Sequence, residues 1–292
     1  TQVGKGVYTH FLDEKGGIRA DLTIVRLSED CFRVIRGGGT GHRDLVWIKQ
    51  MAAARHADIE IHNRTHQLAT LGLWGPNARR VLASLVDDPN AVSDAKFPFA
   101  TAANIEIAGI KIWAFRISYV GELGWELYFD FADGLQLWDL FADAGVNPVG
   151  IETYANSRRL EKSLRLQNAD LETDYNLHEA DLARKLVKKA DFHGKAAYVA
   201  QKAADQQASY LCTMVMLKNV DASGVARYPV GEWPILNKET REVLLDELGR
   251  RSICTSVEYG PSLGSNIILG YIPAEFASVG TELLLEYFCE EY

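Results

Sequence analysis

Cysteine is scarce in this sequence, which has only four cysteines in 292 residues, Cys31, Cys212, Cys254 and Cys289. They are too few and too scattered for a disulfide scaffold, and no two have the CxxC spacing of a zinc knuckle. We therefore predict buried or idle thiols in a reducing compartment, and neither a structural metal nor a disulfide framework.

Long apolar runs and an excess of basic residues are also missing. No stretch of about 18 uninterrupted apolar residues could cross a bilayer, so we predict a soluble protein without a membrane partner. The 31 basic and 39 acidic side chains give a net charge of −8, whereas nucleic-acid binding requires a basic face. We expect no nucleic-acid partner, and any anionic ligand must be met by local cations.

The signatures of several enzyme classes are missing too. The run Gly37–Gly41 has neither the GxGxxG spacing nor the phosphate-loop lysine, and is better explained as a tight turn. No GxSxG nucleophile motif is present. His62 and His66 are four residues apart, but their segment alternates like a strand, so we predict no metal site there. Flavin or nicotinamide chemistry would have to come from another domain.

Neither end of the sequence resembles a natural terminus. Thr1 is not an initiator methionine, and the first ten residues lack the basic and apolar regions of a signal peptide. The last residues stop within what reads as an apolar strand. We expect a piece of a longer polypeptide, located in the cytoplasm, or in the mitochondrial matrix if the source is eukaryotic.

The length predicts two or three packed subdomains, and the apolar periodicity predicts an α+β fold whose C-terminal part is a small β-barrel or sandwich. Most elements lie before residue 165. We predict a β-hairpin over Val7–Leu27, a helix over Asp44–Arg55, a strand over Asp58–His62, a strand ending at Trp74 with a helix after Pro76, a hairpin over Asn104–Tyr119 followed by a strand over 124–131, a helix from Asp133 to Gly145, and a helix over Asn156–Lys162.

The most informative segment is RISYVGELGWELY, residues 116–128, which places Tyr119, Glu122 and Glu126 on or beside a tight turn between aromatic-rich strands. The period-two rule puts Glu126 on the face opposite Trp125 and Leu127. One interpretation is a solvated strand carboxylate. The other is a ligand site, because one carboxylate can accept both the 2-amino and the adjacent N–H hydrogen bonds of a pterin ring between aromatic walls.

Several segments, in order along almost the whole chain, resemble the folate-binding aminomethyltransferase family, which includes the glycine-cleavage T proteins. They are EKGGIRADLTIVRL, GLWGPNARRVL, RISYVGELGWELY, NSRRLEKSLRLQNADL, DFHGKAAYVAQK and SICTSVEYGPSLGSNIILGYIP. The details look closest to the C-terminal folate half of dimethylglycine and sarcosine dehydrogenases or oxidases. The resemblance implies an aminomethyltransferase-like fold, with a folate-binding domain over residues 1–205 that lacks its N-terminal part and a β-barrel domain over residues 206–292.

The resemblance also assigns site residues. Asp21 corresponds to the catalytic aspartate of the family's hairpin, Glu126 to the glutamate that orients the pterin, and Tyr119 to the tyrosine before the Gly-Glu turn. Two features depart from the glycine-cleavage proteins. Tyr154 and Ala155 stand where a folate-contacting arginine is found, and VIRGGGTG replaces an asparagine-containing stretch, so contacts from that loop are not expected.

The chemistry that the resemblance implies is one-carbon transfer to tetrahydrofolate. A one-carbon donor arises when an N-methyl amine such as dimethylglycine or sarcosine is oxidised, and tetrahydrofolate captures the carbon as 5,10-methylenetetrahydrofolate. The expected cofactor of this chain is tetrahydrofolate, with FAD only in a separate, N-terminal oxidoreductase domain. The alternatives are a glycine-cleavage T protein, a folate-dependent O- or S-demethylase and a non-catalytic folate-binding module.

Overall fold

The computed structural model describes residues 2–221 and 223–287, which form two compact units. Of these residues, unit 1 comprises 2–9 and 21–150, and unit 2 comprises 10–20, 151–221 and 223–287. The domain boundary near residue 205, which was predicted from family landmarks in the sequence, stays a prediction. Within the described part, no helix is both long and apolar enough to span a bilayer. Cys31, Cys212 and Cys254 are free thiols, whereas Cys289 lies outside the described residues.

The chain begins with the predicted hairpin. Strands β1 (Gly6–Leu12) and β2 (Ile18–Arg26) are joined by a turn and form a three-stranded sheet, in the order β1-β2-β3, with β3 (Phe32–Ile35). In the turn, the Asp13 carboxylate accepts hydrogen bonds from the backbone N–H groups of Lys15 (2.9 Å) and Gly17 (2.8 Å). The sheet carries Asp21 on its middle strand.

A helix and an irregular segment follow the first sheet. After a short 3-10 turn over Gly38–Thr40, helix α1 runs over Gly41–Ala54, which confirms the predicted helix. The predicted strand over Asp58–His62 is wrong, because that segment has no regular structure. Its alternating apolar residues find no partner, and Ile59 stays 58% exposed. Without a neighbouring strand or a core to cover one face, the alternation has nothing to stabilise it.

The second sheet of unit 1 is antiparallel, with the strand order β4-β7-β6-β5. Its strands are β4 (Leu68–Trp74), β5 (Ala102–Ile107), β6 (Ile110–Phe115) and β7 (Gly124–Asp130). Helix α2 (Ala78–Leu85), helix α3 (Gly134–Asp143) and short 3-10 helices over Pro89–Val92 and Phe131–Asp133 complete unit 1. The predicted strands, helices and hairpin of this region are confirmed.

One face of this second sheet forms the core of unit 1. Trp125 and Leu127 are fully buried there with side chains of the two helices, including Leu82 and Leu137. The hairpin between β5 and β6 turns at Ala108 and Gly109, whose φ angles are 50° and 78°. Two successive positive φ values match the twist of the flanking strands, so the turn fixes which residues of β6 face the core.

Unit 2 begins with a helical segment whose central part, Glu152–Arg158, has π-type hydrogen bonding, and continues with helix α4 (Lys195–Ala203). Its strands are short and antiparallel: β8 (Ser209–Val215), β9 (Ile235–Asn237), β10 (Cys254–Gly260), β11 (Ser265–Pro273) and β12 (Leu283–Leu285). They pair as β10-β11-β8 and β12-β9. The predicted α+β fold with a β-rich C-terminal part is confirmed, whereas α4 was not predicted.

Candidate functional site

The face of the second sheet that points away from the core carries Glu126. Its neighbours Trp125 and Leu127 are both 0% exposed on the core side, so strand alternation places Glu126 on the other face, as predicted. Across the strands, Glu126 pairs with Phe115, and Tyr128 pairs with Trp113. Directly paired residues share a face, so a carboxylate and three aromatic rings lie together.

The first sheet lies against this face. The Arg33 guanidinium on β3 stacks over the Trp113 ring, 4.1 Å from its centroid, and Arg33 pairs with Val25 on β2. A Cβ added at Gly6 would lie 2.5 Å from the tip of the Phe115 ring and 3.3 Å from a Val25 methyl carbon. These contacts show that the part of the first sheet that belongs to unit 1 faces the second sheet here.

Glu126 is held in an aromatic, weakly hydrated environment. The Tyr128 hydroxyl donates a hydrogen bond to its carboxylate, and no cation forms an ion pair with it among the described residues. The Trp74 indole covers Gly72, which pairs with Glu126, and Gly124, since a Cβ at either glycine would overlap that ring. Burial raises the pKa of Glu126 above its ordinary value, although the Tyr128 bond opposes the shift. The charged carboxylate therefore lacks a strong partner.

Asp21 lies on β2, on the same face as Thr23, Val25 and, across the strands, Arg33. The Tyr8 hydroxyl donates a hydrogen bond to its Oδ2 atom at 3.1 Å. Burial raises the pKa of Asp21, and the nearby Asp44 carboxylate acts in the same direction. The structure thus places Asp21 and Glu126 on facing sheets, bonded to different tyrosines, and no hydrogen bond joins the two carboxylates.

Tyr119 is half-buried in the irregular segment between β6 and β7. In this segment the Ser118 hydroxyl accepts hydrogen bonds from the N–H groups of Val120 (3.2 Å) and Glu122 (3.3 Å), which fixes the turn before β7. Tyr119 thus lies beside the turn, as the sequence predicted. Its role in ligand binding stays a prediction.

Sequence reasoning missed six residues of this site: Tyr8, Arg33, Trp74, Trp113, Phe115 and Tyr128. Tyr128 could have been found, because it follows Glu126 by two residues and must share its face. The Trp74 ring covers glycines on two strands, and Arg33 reaches Trp113 from the other sheet. No local pattern carries those two contacts, since both depend on how strands pair and pack.

The raised pKa of Glu126 has a measurable consequence for stability. A carboxyl group whose pKa is higher in the folded state than in the unfolded state favours folding most below the unfolded pKa, and this advantage is lost as pH rises through the folded pKa. We expect Glu126→Gln to raise the melting temperature at pH 7.5 and the gain to disappear as the pH approaches 4. Melting curves across that pH range would measure the change in melting temperature, with Glu122→Gln at an exposed position as the control. An equal increase in melting temperature at every pH would contradict this explanation.

Comparison with known proteins agrees with the fold and the sequence motifs. Residues 1–190 match the family model described as the GCVT N-terminal domain, and residues 229–292 match the glycine cleavage T-protein C-terminal barrel domain. An aminomethyltransferase T of the glycine cleavage system from Bartonella henselae has the same fold, with a TM-score of 0.79 over 98% of this chain and 73% of that one, at 23% identity.

Relatives of two kinds are similar in sequence. Mitochondrial dimethylglycine dehydrogenase of Homo sapiens is 33% identical over 100% of this chain but only 32% of its own length, so the chain spans about a third of that relative. An aminomethyltransferase of Listeria welshimeri is 30% identical over 97% of this chain and 72% of its own length. The chain belongs to the aminomethyltransferase family, whose members include the glycine cleavage T proteins.

Proposed function

We propose that this protein transfers a one-carbon unit to tetrahydrofolate, capturing the carbon released by oxidative N-demethylation of an amine such as dimethylglycine or sarcosine and yielding 5,10-methylenetetrahydrofolate. The observation that carries the proposal is the Glu126 carboxylate, which lies in an aromatic site without a cationic partner among the described residues. Family membership supports the folate, and the similarity to dimethylglycine dehydrogenase supports the donor.

The chemistry of the site fits a pterin. A carboxylate can accept two parallel hydrogen bonds from the 2-amino group and the adjacent ring N–H, and such charge-assisted bonds are stronger than neutral ones. The Trp74 indole, which lies over Gly72 and Gly124 beside Glu126, offers a flat apolar surface for a flat ring. Under this proposal, the ligand would supply the partners that Glu126 lacks.

Asp21 is the proposed proton acceptor. When tetrahydrofolate reacts with formaldehyde, its two N–H nitrogens each form a bond to the incoming carbon, and the oxygen leaves as water with the two N–H protons. A carboxylate beside the nucleophilic nitrogen can take the proton, return it to the departing oxygen and stabilise the cationic intermediate. The hydrogen bond from Tyr8 holds the Asp21 carboxylate in place.

Under this proposal, a separate FAD-containing oxidoreductase domain oxidises the amine. This chain would transfer only the released one-carbon unit to tetrahydrofolate. The human, rat and mouse dimethylglycine dehydrogenases are all named as mitochondrial, and the compartment of this chain stays a prediction. A second candidate is a glycine-cleavage aminomethyltransferase, which the coverage of the Listeria relative favours. Supplying either formaldehyde or an aminomethyl-lipoyl carrier as the donor would separate the two.

Folate binding tests the proposal directly. We expect Glu126→Gln to weaken tetrahydrofolate binding by about 2 to 4 kcal/mol, because the amide offers one acceptor where the pterin needs two and leaves a pterin donor unpaired. Isothermal titration calorimetry of the wild type and the variant measures the difference.

Exposed Glu122→Gln, in the turn before the same strand, makes the same charge change four residues away and should leave affinity unaltered. Unchanged affinity in Glu126→Gln would rule out this pterin site. Product analysis on the active protein would separate methylene transfer from an O- or S-demethylase, which would give 5-methyltetrahydrofolate, and from a module that only binds.

A further inference from the structure

Arg33 is a half-buried arginine at the candidate site that the proposed function has not used. It lies on β3 opposite Val25, and its guanidinium stacks on Trp113 at 4.1 Å. Trp113 in turn pairs with Tyr128 and packs edge-on against its ring, with 5.3 Å between the centroids. The guanidinium therefore lies beside the residue that hydrogen-bonds Glu126.

The hydrogen bonds of this guanidinium are incomplete. Its Nη1 atom is buried and has no hydrogen-bond partner among the described residues. No carboxylate in the described part of the chain forms an ion pair with Arg33. This holds although Glu126 pairs with Phe115, next to the Trp113–Tyr128 pair over which Arg33 lies. Burial lowers the pKa of Arg33. A buried donor without an acceptor is costly, so an arginine kept in this state is suited to an acceptor that arrives with a ligand.

Glu126 and the Trp113 ring that carries the Arg33 guanidinium belong to neighbouring cross-strand pairs on one face of the second sheet. Consecutive same-face residues on a strand are about 7 Å apart, and the side chains above the Phe115–Glu126 and Trp113–Tyr128 pairs are separated by one such step. A 2-amino-4-oxo pterin presents three groups along one edge: the amino donor, the ring N–H donor and the 4-oxo acceptor. Glu126 can take the two donors, which leaves the oxygen toward the Arg33 side.

We propose that Arg33 is a specificity-determining residue, which donates a hydrogen bond to the 4-oxo oxygen of the pterin while Glu126 accepts from the two neighbouring donors. This inference rests on the proposed function and adds the ligand class that the site selects. The site should prefer 4-oxo pterins over 2,4-diamino analogues, because a 4-amino group would set two donors against each other.

The test compares two ligands on two proteins. Dissociation constants are measured for 5-formyltetrahydrofolate, a 4-oxo folate, and for its 2,4-diamino analogue, on the wild type and on Arg33→Met. We expect the substitution to weaken the 4-oxo ligand roughly 10- to 100-fold, the worth of one charge-assisted hydrogen bond, and to leave the diamino ligand unchanged or tighter. The preference for the 4-oxo ligand should fall by at least roughly 10-fold, and Arg33→Lys should retain part of it.

Arg26→Met is the matched control, because Arg26 belongs to the same sheet and stacks on the exposed Phe32 ring at 5.8 Å. It should change neither affinity. Equal weakening of both ligands by Arg33→Met would show that Arg33 only supports Trp113, and no weakening would show that it does not contact the ligand; either result overturns the inference. If Glu126→Gln still weakens binding as expected in those cases, the proposed function stands, whereas a wild type that binds neither ligand overturns both.

Discussion

Replacing Asp21 with asparagine is expected to reduce one-carbon transfer to tetrahydrofolate roughly 10²- to 10⁴-fold, the usual contribution of a positioned general base, while folate affinity changes only by about a few-fold. Asparagine keeps the shape of the side chain and can still accept the hydrogen bond from Tyr8. It cannot take a proton from the folate nitrogen or offset a developing positive charge. The loss should therefore appear in the turnover number and not in binding.

The measurement is formation of 5,10-methylenetetrahydrofolate from formaldehyde at saturating folate, with uncatalysed condensation subtracted. Asp30→Asn, at an exposed position in the turn between β2 and β3, makes the same change on the same sheet and should keep full activity. An Asp21→Asn protein that turns over at the wild-type rate would remove this residue from the mechanism.

The dependence of one-carbon transfer on pH provides an independent test of the proposed role of Asp21 as a general base. The proposed base, Asp21, can accept a proton only when it is ionised, and burial raises its pKa, so we expect activity to begin to fall on acidification at a higher pH than for a solvated aspartate. The Tyr8 hydrogen bond lowers that pKa, so Tyr8→Phe should move the acid limb to still higher pH. In Asp21→Asn this limb should be absent from the residual activity.

The largest effect on stability is expected in unit 2, at the buried pair of Arg159 and Asp170, which are 1% and 0% exposed. Their Nη1 and Oδ2 atoms are 2.5 Å apart. Asp170 also accepts bonds from the Ser256 hydroxyl (2.7 Å) and the Leu166 N–H (2.9 Å). Asp170→Ala would leave a buried guanidinium without its counter-ion, and we expect it to lower the free energy of unfolding by about 3 to 5 kcal/mol.

Urea denaturation followed by circular dichroism measures this change, and hydrogen exchange of β10 and β11 locates it in unit 2. Glu282→Ala, which breaks the exposed pair with Lys238, is the control and should change stability little. The double variant Arg159→Met, Asp170→Leu removes both charges and should recover much of the loss, because an unpaired buried charge is worse than no charge. A single Asp170→Ala variant of wild-type stability would contradict this explanation.

The same pair shows how far motif resemblance reaches. The segment NSRRLEKSLRLQNADL was recognised as a family landmark, and the sequence suggested no role for its individual residues. In the structure Arg159 and Asp170 bond to each other and to Ser256, which is 97 positions from Arg159. A contact of that separation leaves no local periodicity, so sequence patterns could identify the landmark but not its structural function.

The sequence by itself determined the family, the α+β class, the hairpin around Asp13 and the face on which Glu126 lies, because turn residues and strand alternation are local properties of the chain. It also predicted a strand over Asp58–His62 that does not form, since alternation without a neighbouring strand has nothing to bind. Only the tertiary structure decided what surrounds Glu126. The Trp74 ring over two glycines, the hydrogen bond from Tyr128 and the stacking of Arg33 on Trp113 depend on strand register and on two sheets facing each other, and these are long-range contacts.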